Sequence, residues 1–174
     1  MRILGIDPGT RSIGIALLMV GAAPEFSRGA VLLLEGGLHE RLRLLRDHLE
    51  PFLAEADLVV AELPYMGGPS TTIHHVARAL GYIEALAVQR GLPFHALTPS
   101  QIRAQFGSGR AQKEDVQYEL LWQIRGLPAR APHHLYDAVA AAWAGALLHP
   151  SLSEEEAQCR VRVFSPENAP AGRG

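Results

Sequence analysis

Two short apolar segments of this chain each end on a carboxylate, and this pattern constrains the fold more than any other feature. Residues 2–7 end on Asp7, and residues 57–62 end on Glu62. Short apolar runs of this kind predict buried β-strands. A buried carboxylate is costly unless it is paired or binds a cation. The two acidic strand ends therefore need partners, and a cation is one candidate.

The rest of the sequence pattern predicts a mixed α/β domain. The predicted strands lie at 2–7, 12–20, 29–34, 57–62 and 93–97. The predicted helices lie at 38–52, 71–90, 99–106, 112–125 and 133–148, the third of them capped by Thr98. A hairpin followed by crossover helices predicts a five-stranded mixed sheet with helices on its faces. We expect residues 1–149 to form this domain and residues 150–174 to be a polar, flexible tail.

Four polar residues are predicted to meet at one edge of this sheet. The first and fourth strands can be neighbours, which would bring Asp7 and Glu62 together. His134 and Asp137 are three residues apart near the start of the last helix, so they share a face of it. Oxygen-rich sites suit hard cations such as Mg²⁺ or Mn²⁺. Two such ions, about 4 Å apart, activate a water and stabilise the departing oxygen in phosphodiester hydrolysis.

Each of these residues also has a purely structural interpretation. Asp7 precedes Pro-Gly and could be a turn former, and Glu62 could simply face solvent after its strand. Asp137 near a helix start favours the helix dipole. His134 is one of two adjacent histidines, and a single histidine is more often structural than catalytic. No residue taken alone decides between these interpretations.

The charge distribution allows a basic surface on a nearly neutral chain. A net charge of −2 argues against a nucleic-acid binder when the chain is taken as a whole. Residues 85–113, however, contain Arg90, Arg103, Arg110 and Lys113 and no acidic residue. Lys113 is the only lysine, whereas the other fifteen of the sixteen Lys and Arg residues are arginines. A locally basic face is therefore expected.

The single cysteine and the first residues of the chain indicate the cellular compartment in which the protein is expected. Cys159 is the only cysteine, which excludes an internal disulfide and a thiolate metal cluster. The chain begins without the long apolar run of a signal peptide, since Asp7 interrupts it early. We expect a cytoplasmic protein with no membrane segment.

Four motifs resemble those of the RuvC family of Holliday junction resolvases. They are IDPGT with GIA at residues 6–10 and 14–16, VAE at 60–62, GSGRAQKEDV at 107–116 and HLYDAVAAA at 134–142. They occur in family order and spacing over residues 1–149. The resemblance implies an RNase H-like fold and a homodimer. It also implies an enzyme that nicks two opposed strands of a four-way DNA junction with Mg²⁺ or Mn²⁺, without a small-molecule cofactor.

The resemblance also implies catalytic roles. Asp7, Glu62, His134 and Asp137 fall on the catalytic, metal-binding positions of the family. The third of these positions is aspartate in many members and histidine in some. An imidazole there brings less negative charge, so we expect it to favour Mn²⁺ over Mg²⁺. Lys113 matches a family lysine that faces the phosphate backbone, where its charge would stabilise the pentavalent phosphate.

Three further residues are expected to contact DNA. Tyr65 falls where the family carries an aromatic ring that stacks near the crossover point, although it could instead cover a loop. Arg103 and Arg110 are expected to contact the phosphate backbone, which positions DNA without reading its sequence. The loop that follows Glu62 is unusually rich in proline and glycine, and its shape is expected to differ from that of the family.

Three other functional classes are alternatives to a junction resolvase. Sugar-kinase-like and actin-like ATPases share the opening motif but need two such domains to hold a nucleotide. Another RNase H-like nuclease, either YqgF-like or one that debranches DNA or cuts flaps, is closer, although YqgF-like chains usually lack an acidic residue such as Glu62. A non-catalytic junction-binding protein would be expected to have lost at least one of the four site residues. A junction resolvase is therefore favoured.

Overall fold

The computed structural model describes residues 1–64, 70–107 and 111–149. This part of the chain forms five strands and five helices. The strands are β1 (Arg2–Pro8), β2 (Ser12–Met19), β3 (Glu25–Leu33), β4 (Leu58–Glu62) and β5 (Phe94–Leu97). The helices are α1 (Leu38–Leu53), α2 (Ser70–Gln89), α3 (Pro99–Ala104), α4 (Lys113–Gln123) and α5 (His133–Leu148). The predicted order of elements is confirmed.

The five strands form one mixed sheet in the order β3-β2-β1-β4-β5. The first three strands are an antiparallel meander, and β1 pairs in parallel with β4, which pairs in parallel with β5. The central position of β1 follows from this order. The predicted contact between the first and fourth strands is thereby confirmed, and it extends to the pairing of Ile6 with Ala61.

Side chains of β1 alternate between two hydrophobic cores. Ile3 packs with α5 on one face of the sheet, whereas Leu4 and Ile6 pack with α1 and α2 on the other. This alternation is the two-residue period of a strand that is buried on both faces. The period also fixes which core faces the acidic residue at the end of each strand.

Helix α5 lies unusually close to the sheet because small residues line the contact. Five alanines of α5 are buried, and two of them, Ala138 and Ala142, lie against Gly5 of β1; the five are Ala138, Ala140, Ala141, Ala142 and Ala144. On the sheet side, a Cβ atom added at Gly5 would overlap the carbonyl oxygen of Ala138, and one at Gly14 would overlap that of His134. The alanine-rich sequence of α5 therefore serves close packing, and it fixes the position of the helix's first turn.

Three element ends differ from the sequence prediction by more than one residue, and two of these differences have one cause. Helix α3 ends at Ala104, not at residue 106. The third strand begins at Glu25, not at residue 29, and α4 ends at Gln123, not at residue 125. Arg125 leaves the helix to pair with the start of β3, accepting a backbone hydrogen bond from Phe26 at 2.9 Å and donating one to Pro24 at 3.0 Å. This long-range pairing stops α4 and extends β3.

One predicted helix start is confirmed in atomic detail. The hydroxyl of Thr98 accepts a hydrogen bond from the backbone N–H of Gln101 at 3.2 Å, and the side chain of Gln101 accepts one from the backbone N–H of Thr98 at 2.8 Å. This reciprocal capping box, followed by Pro99, begins α3 beside the carboxyl ends of β4 and β5.

The predicted tail at residues 150–174 lies outside the described residues. Within the described ranges, none of the helices is both long enough and apolar enough to cross a membrane.

Candidate active site

The acidic ends of β1 and β4 lie side by side. The pairing of these parallel strands ends with Ile6 beside Ala61, so Asp7 and Glu62 are the next positions. In β1, the side chain of Ile3 faces α5, and Asp7, four residues later, lies on the same face of the strand. In β4, Leu58 and Val60 face α5, and Glu62 continues this every-second-residue pattern. Both carboxylates therefore lie on the α5 side of the sheet, as the strand period predicts.

The first turns of α5 add an imidazole and a third carboxylate. Nδ1 of His134 is 2.6 Å from Oδ2 of Asp7, and Nε2 of the same ring is 2.7 Å from Oγ of Ser12. Asp137, three residues later, accepts a hydrogen bond from Nζ of Lys113 at 2.6 Å. The structure thus brings the five predicted catalytic residues together.

The surroundings of Asp7 and Glu62 oppose the ionisation of these two carboxylates. Burial raises the pKa of Glu62 from about 4.5 to about 7, and the negative charges of Asp7 and Asp137 add to this effect. Burial also raises the pKa of Asp7, against the lowering effect of its hydrogen bond with His134. Burial lowers the pKa of Lys113, but its hydrogen bond to Asp137 and the surrounding carboxylates raise it overall.

Glu62 lines two clefts that open on either side of it. One cleft is bounded by α3, α4 and α5 and carries Arg103, Lys113 and Asp137. The other runs from Asp7 along the loop after β4 to the first turn of α2. The positive charge of Arg103 acts on Glu62, which places this predicted DNA contact beside the carboxylates. Tyr65 and Arg110 lie outside the described residues.

The site is not arranged as a finished metal centre. Among the described residues, no three His, Cys, Asp or Glu side chains form a group ready to hold a metal ion. Asp7 is instead paired with His134, and Asp137 with Lys113. The donors are nevertheless those that hard divalent cations prefer, three carboxylates and one imidazole. The three negative charges repel one another, and a bound cation would relieve this repulsion.

Comparison with known proteins identifies the family. The family model described as crossover junction endodeoxyribonuclease RuvC matches residues 3–145. The chain belongs to the RuvC family. The crossover junction endodeoxyribonuclease RuvC of Trichlorobacter lovleyi is 36% identical to it over 148 residues, which cover 82% of this chain and 83% of that protein. The RuvC family consists of metal-dependent nucleases.

Solved RuvC structures share the fold. The structure of Thermus thermophilus RuvC superposes with a TM-score of 0.79 at 26% identity, covering 87% of this chain and 96% of that chain. T. thermophilus RuvC in complex with Holliday junction substrate superposes with a TM-score of 0.78 at 23% identity, again covering 87% and 96%. The predicted RNase H-like architecture of the RuvC family is thereby confirmed.

Sequence reasoning missed one polar residue of this cluster. Ser12 is the first residue of β2, and its hydroxyl contacts the ring of His134. The available signal was its position two residues before Gly14 of the GIA motif, which puts both residues on one face of β2. This is the face on which Gly14 lies against the backbone of His134. A serine at a strand start is too common a feature to be recognised without the structure.

The raised pKa of Glu62 predicts how the stability of the metal-free protein depends on pH. Between about pH 4.5 and 7 the folded state holds a proton on Glu62 that the unfolded state has lost. The free energy of unfolding should therefore fall as pH rises through this window. In Glu62→Gln this fall should be smaller by roughly 2 to 3 kcal/mol, a value converted from the size of the shift.

Urea unfolding at pH 5 and pH 8 in EDTA measures this difference. Glu84→Gln, at an exposed position of α2, is the matched control and should behave as wild type. An equal fall of stability in wild type and Glu62→Gln would show that Glu62 is not buried among like charges.

Proposed function

We propose that this chain acts in the cytoplasm as a junction-resolving endodeoxyribonuclease, with residues 1–149 as its nuclease domain and residues 150–174 as a separate tail. It would hydrolyse one phosphodiester bond in each of two opposed strands of a four-way DNA junction. The observation that carries this proposal is the convergence of Asp7, Glu62 and Asp137 beside Lys113 at an open cleft.

In this proposal Asp7, Glu62, His134 and Asp137 would hold a pair of Mg²⁺ or Mn²⁺ ions, for which their oxygen and nitrogen donors are suited. When bound, two such cations supply a nucleophilic water at neutral pH and stabilise the charge on the departing oxygen. Glu62 must lose its proton to act as a ligand, and its raised pKa makes that loss depend on pH. In the metal-free site, Asp7 already contacts the ring of His134 and Asp137 already accepts a hydrogen bond from the ammonium group of Lys113. The carboxylate oxygens that make these contacts are the atoms that would bind a cation.

Lys113 is suited to move between a carboxylate and a phosphate. Its ammonium group lies 2.6 Å from Asp137, yet about half of its side chain is exposed, at 54%. The flexible stem of a lysine lets the charge turn toward DNA in the cleft. There it would stabilise the charge that develops on the phosphate. Arg103, on the other side of the same cleft, would hold the DNA backbone.

Lys113→Gln is expected to lower the rate of junction cleavage on the order of a hundredfold, because one donor to the transition state is lost. Junction affinity should change little, since one phosphate contact among several is removed. Single-turnover cleavage and a mobility-shift titration separate these quantities. Lys113→Arg keeps the charge and should retain part of the rate. A cleavage rate for Lys113→Gln equal to that of wild type would remove this residue from the mechanism.

A homodimer is part of the proposal. A four-way junction offers two symmetric cleavage positions, and a two-fold protein matches a two-fold substrate.

Tyr65 and Arg110 remain predicted DNA contacts on the strength of the family resemblance.

A supercoiled plasmid that extrudes a cruciform tests paired incision. Two nicks made within one binding event yield linear DNA, whereas a single nick relaxes the plasmid and removes the cruciform. The proposal predicts linear product as the main early product. Nicked circles in place of linear molecules would show that the two strands are not cut together and would contradict the dimeric mechanism.

A further inference from the structure

Both nitrogens of the His134 ring are engaged, and they face different partners. Nδ1 lies 2.6 Å from Oδ2 of Asp7, and Nε2 lies 2.7 Å from Oγ of Ser12. A neutral imidazole carries one proton, and an ionised carboxylate can only accept. The proton of the neutral ring therefore lies on Nδ1 and is donated to Asp7. Nε2 then accepts a hydrogen bond from the Ser12 hydroxyl.

This arrangement has to change if His134 is to bind a cation held by Asp7. Nδ1 is the ring atom that faces Asp7, so Nδ1 is the atom that would supply a lone pair there. A neutral ring with a free lone pair on Nδ1 carries its proton on Nε2. In that state Nε2 would donate its hydrogen bond to the Ser12 hydroxyl.

A serine hydroxyl suits both states of the ring. It donates to a bare Nε2 and accepts from a protonated Nε2, because it has one O–H and two lone pairs. A metal-binding histidine generally donates its other N–H to a fixed partner, which orients the ring. Strand β2 supplies this partner rigidly, since Gly14, two residues on, contacts the backbone of His134.

We propose that Ser12 is the positioning residue for His134. Its hydroxyl, 2.7 Å from Nε2, holds the imidazole in the orientation that directs Nδ1 toward Asp7 and the carboxylate cluster. This inference rests on the proposed metal-dependent function and adds a residue that acts only through the histidine. The order Ser12, His134, Asp7 also resembles a nucleophilic triad, and the experiment separates the two roles.

Ser12→Thr and Ser12→Val form the matched pair for the test. The two variants have the same shape and differ by a hydroxyl in place of a methyl group, and both suit the start of a strand. Ser12→Ala is a third variant that keeps the site uncrowded. Urea unfolding establishes that each variant is folded before its site is examined.

The first readout is Mn²⁺ affinity, measured by electron paramagnetic resonance of the free ion. Ser12→Val and Ser12→Ala should bind Mn²⁺ on the order of 10- to 100-fold more weakly than wild type, and Ser12→Thr should bind nearly as tightly. The second readout is the ¹⁵N chemical shifts of the His134 ring, assigned with His134→Asn. In wild type and Ser12→Thr the proton should lie on Nδ1 without metal and on Nε2 with Mg²⁺. Ser12→Val keeps Asp7 as the acceptor, so the proton should also lie on Nδ1 without metal, whereas the shift of Nε2, which loses its partner, should move toward that of a ring nitrogen without a hydrogen bond.

Several results would overturn the inference. Equal Mn²⁺ affinity and equal ring shifts in Ser12→Thr and Ser12→Val would show that the hydroxyl does not position the ring. Abolished cleavage in Ser12→Ala with unchanged Mn²⁺ affinity, together with a phosphoserine trapped at Ser12, would show a nucleophile instead. Absence of Mn²⁺ binding and cleavage in wild type would overturn the proposed function as well. If the wild type cleaves junctions normally and Ser12→Thr and Ser12→Val have equal Mn²⁺ affinity and equal ring shifts, this inference alone is wrong and the proposed function stands.

Discussion

Asp7→Asn is expected to abolish junction cleavage while leaving junction binding in place. The carboxylate of Asp7 lies 2.6 Å from the ring of His134, and its charge acts on Glu62 more strongly than that of Asp137 does. Removing one charge from this position should forfeit several kcal/mol of transition-state stabilisation. That loss corresponds to a rate lower by roughly a thousandfold or more. Single-turnover cleavage with excess enzyme measures the rate, and a mobility-shift titration in EDTA measures the affinity.

The fold of this variant should be intact or slightly stabilised, because the substitution removes a carboxylate whose ionisation burial opposes. Asp47→Asn, at an exposed position of α1, is the matched control and should cleave as wild type. If Asp7→Asn instead cleaved at a rate within about tenfold of wild type, a value far short of the loss expected for a metal ligand, the assignment of this site would be wrong.

Gly5→Ala is expected to lower the free energy of unfolding by about 3 kcal/mol, the upper end of the usual range for overpacking. A Cβ atom at this position would overlap the carbonyl oxygen of Ala138 and lie 2.8 Å from the backbone nitrogen of Ala142. Both obstructing atoms belong to the backbone of α5, so no side-chain rotation relieves the overlap. A loss of this size should lower the melting temperature by roughly 6 to 12 °C.

Gly21→Ala is the control for this substitution, since an added Cβ atom meets no atom within 4 Å there. It should be neutral or slightly stabilising. Calorimetric melting of both variants in EDTA gives the comparison. Equal melting temperatures for Gly5→Ala and wild type would show that α5 does not lie as close to the sheet as its alanines and the strand glycines indicate.

The convergence of the four predicted site residues follows from local rules that a sequence carries. The two-residue period of a strand sets the faces of Asp7 and Glu62, and a spacing of three sets His134 and Asp137 on one helix face. The parallel pairing of β1 with β4 and the docking of α5 on one face of the sheet are the long-range steps, and the order of strands and helices limits them to few arrangements. These residues were therefore predictable.

The pairings inside the site were not predictable in the same way. The contacts of Ser12 with His134 and of Lys113 with Asp137 join residues far apart in the chain, and their residue types are common on any surface. The pairing of Arg125 with the start of β3 is another such contact, and it moved two predicted element ends. Tertiary contacts of this kind override the local preference for continuing a helix or beginning a strand.

Cleavage of an end-labelled four-way junction, beside a linear duplex of the same arm sequence, tests the central claim most directly. The wild-type protein is assayed with Mg²⁺, with Mn²⁺ and with EDTA. We expect nicks at symmetric positions in two opposed strands of the junction, only with a divalent cation, and faster with Mn²⁺. The duplex should stay uncut. Cleavage that persists in EDTA, or equal cleavage of the duplex, would contradict a metal-dependent, junction-specific nuclease at this site.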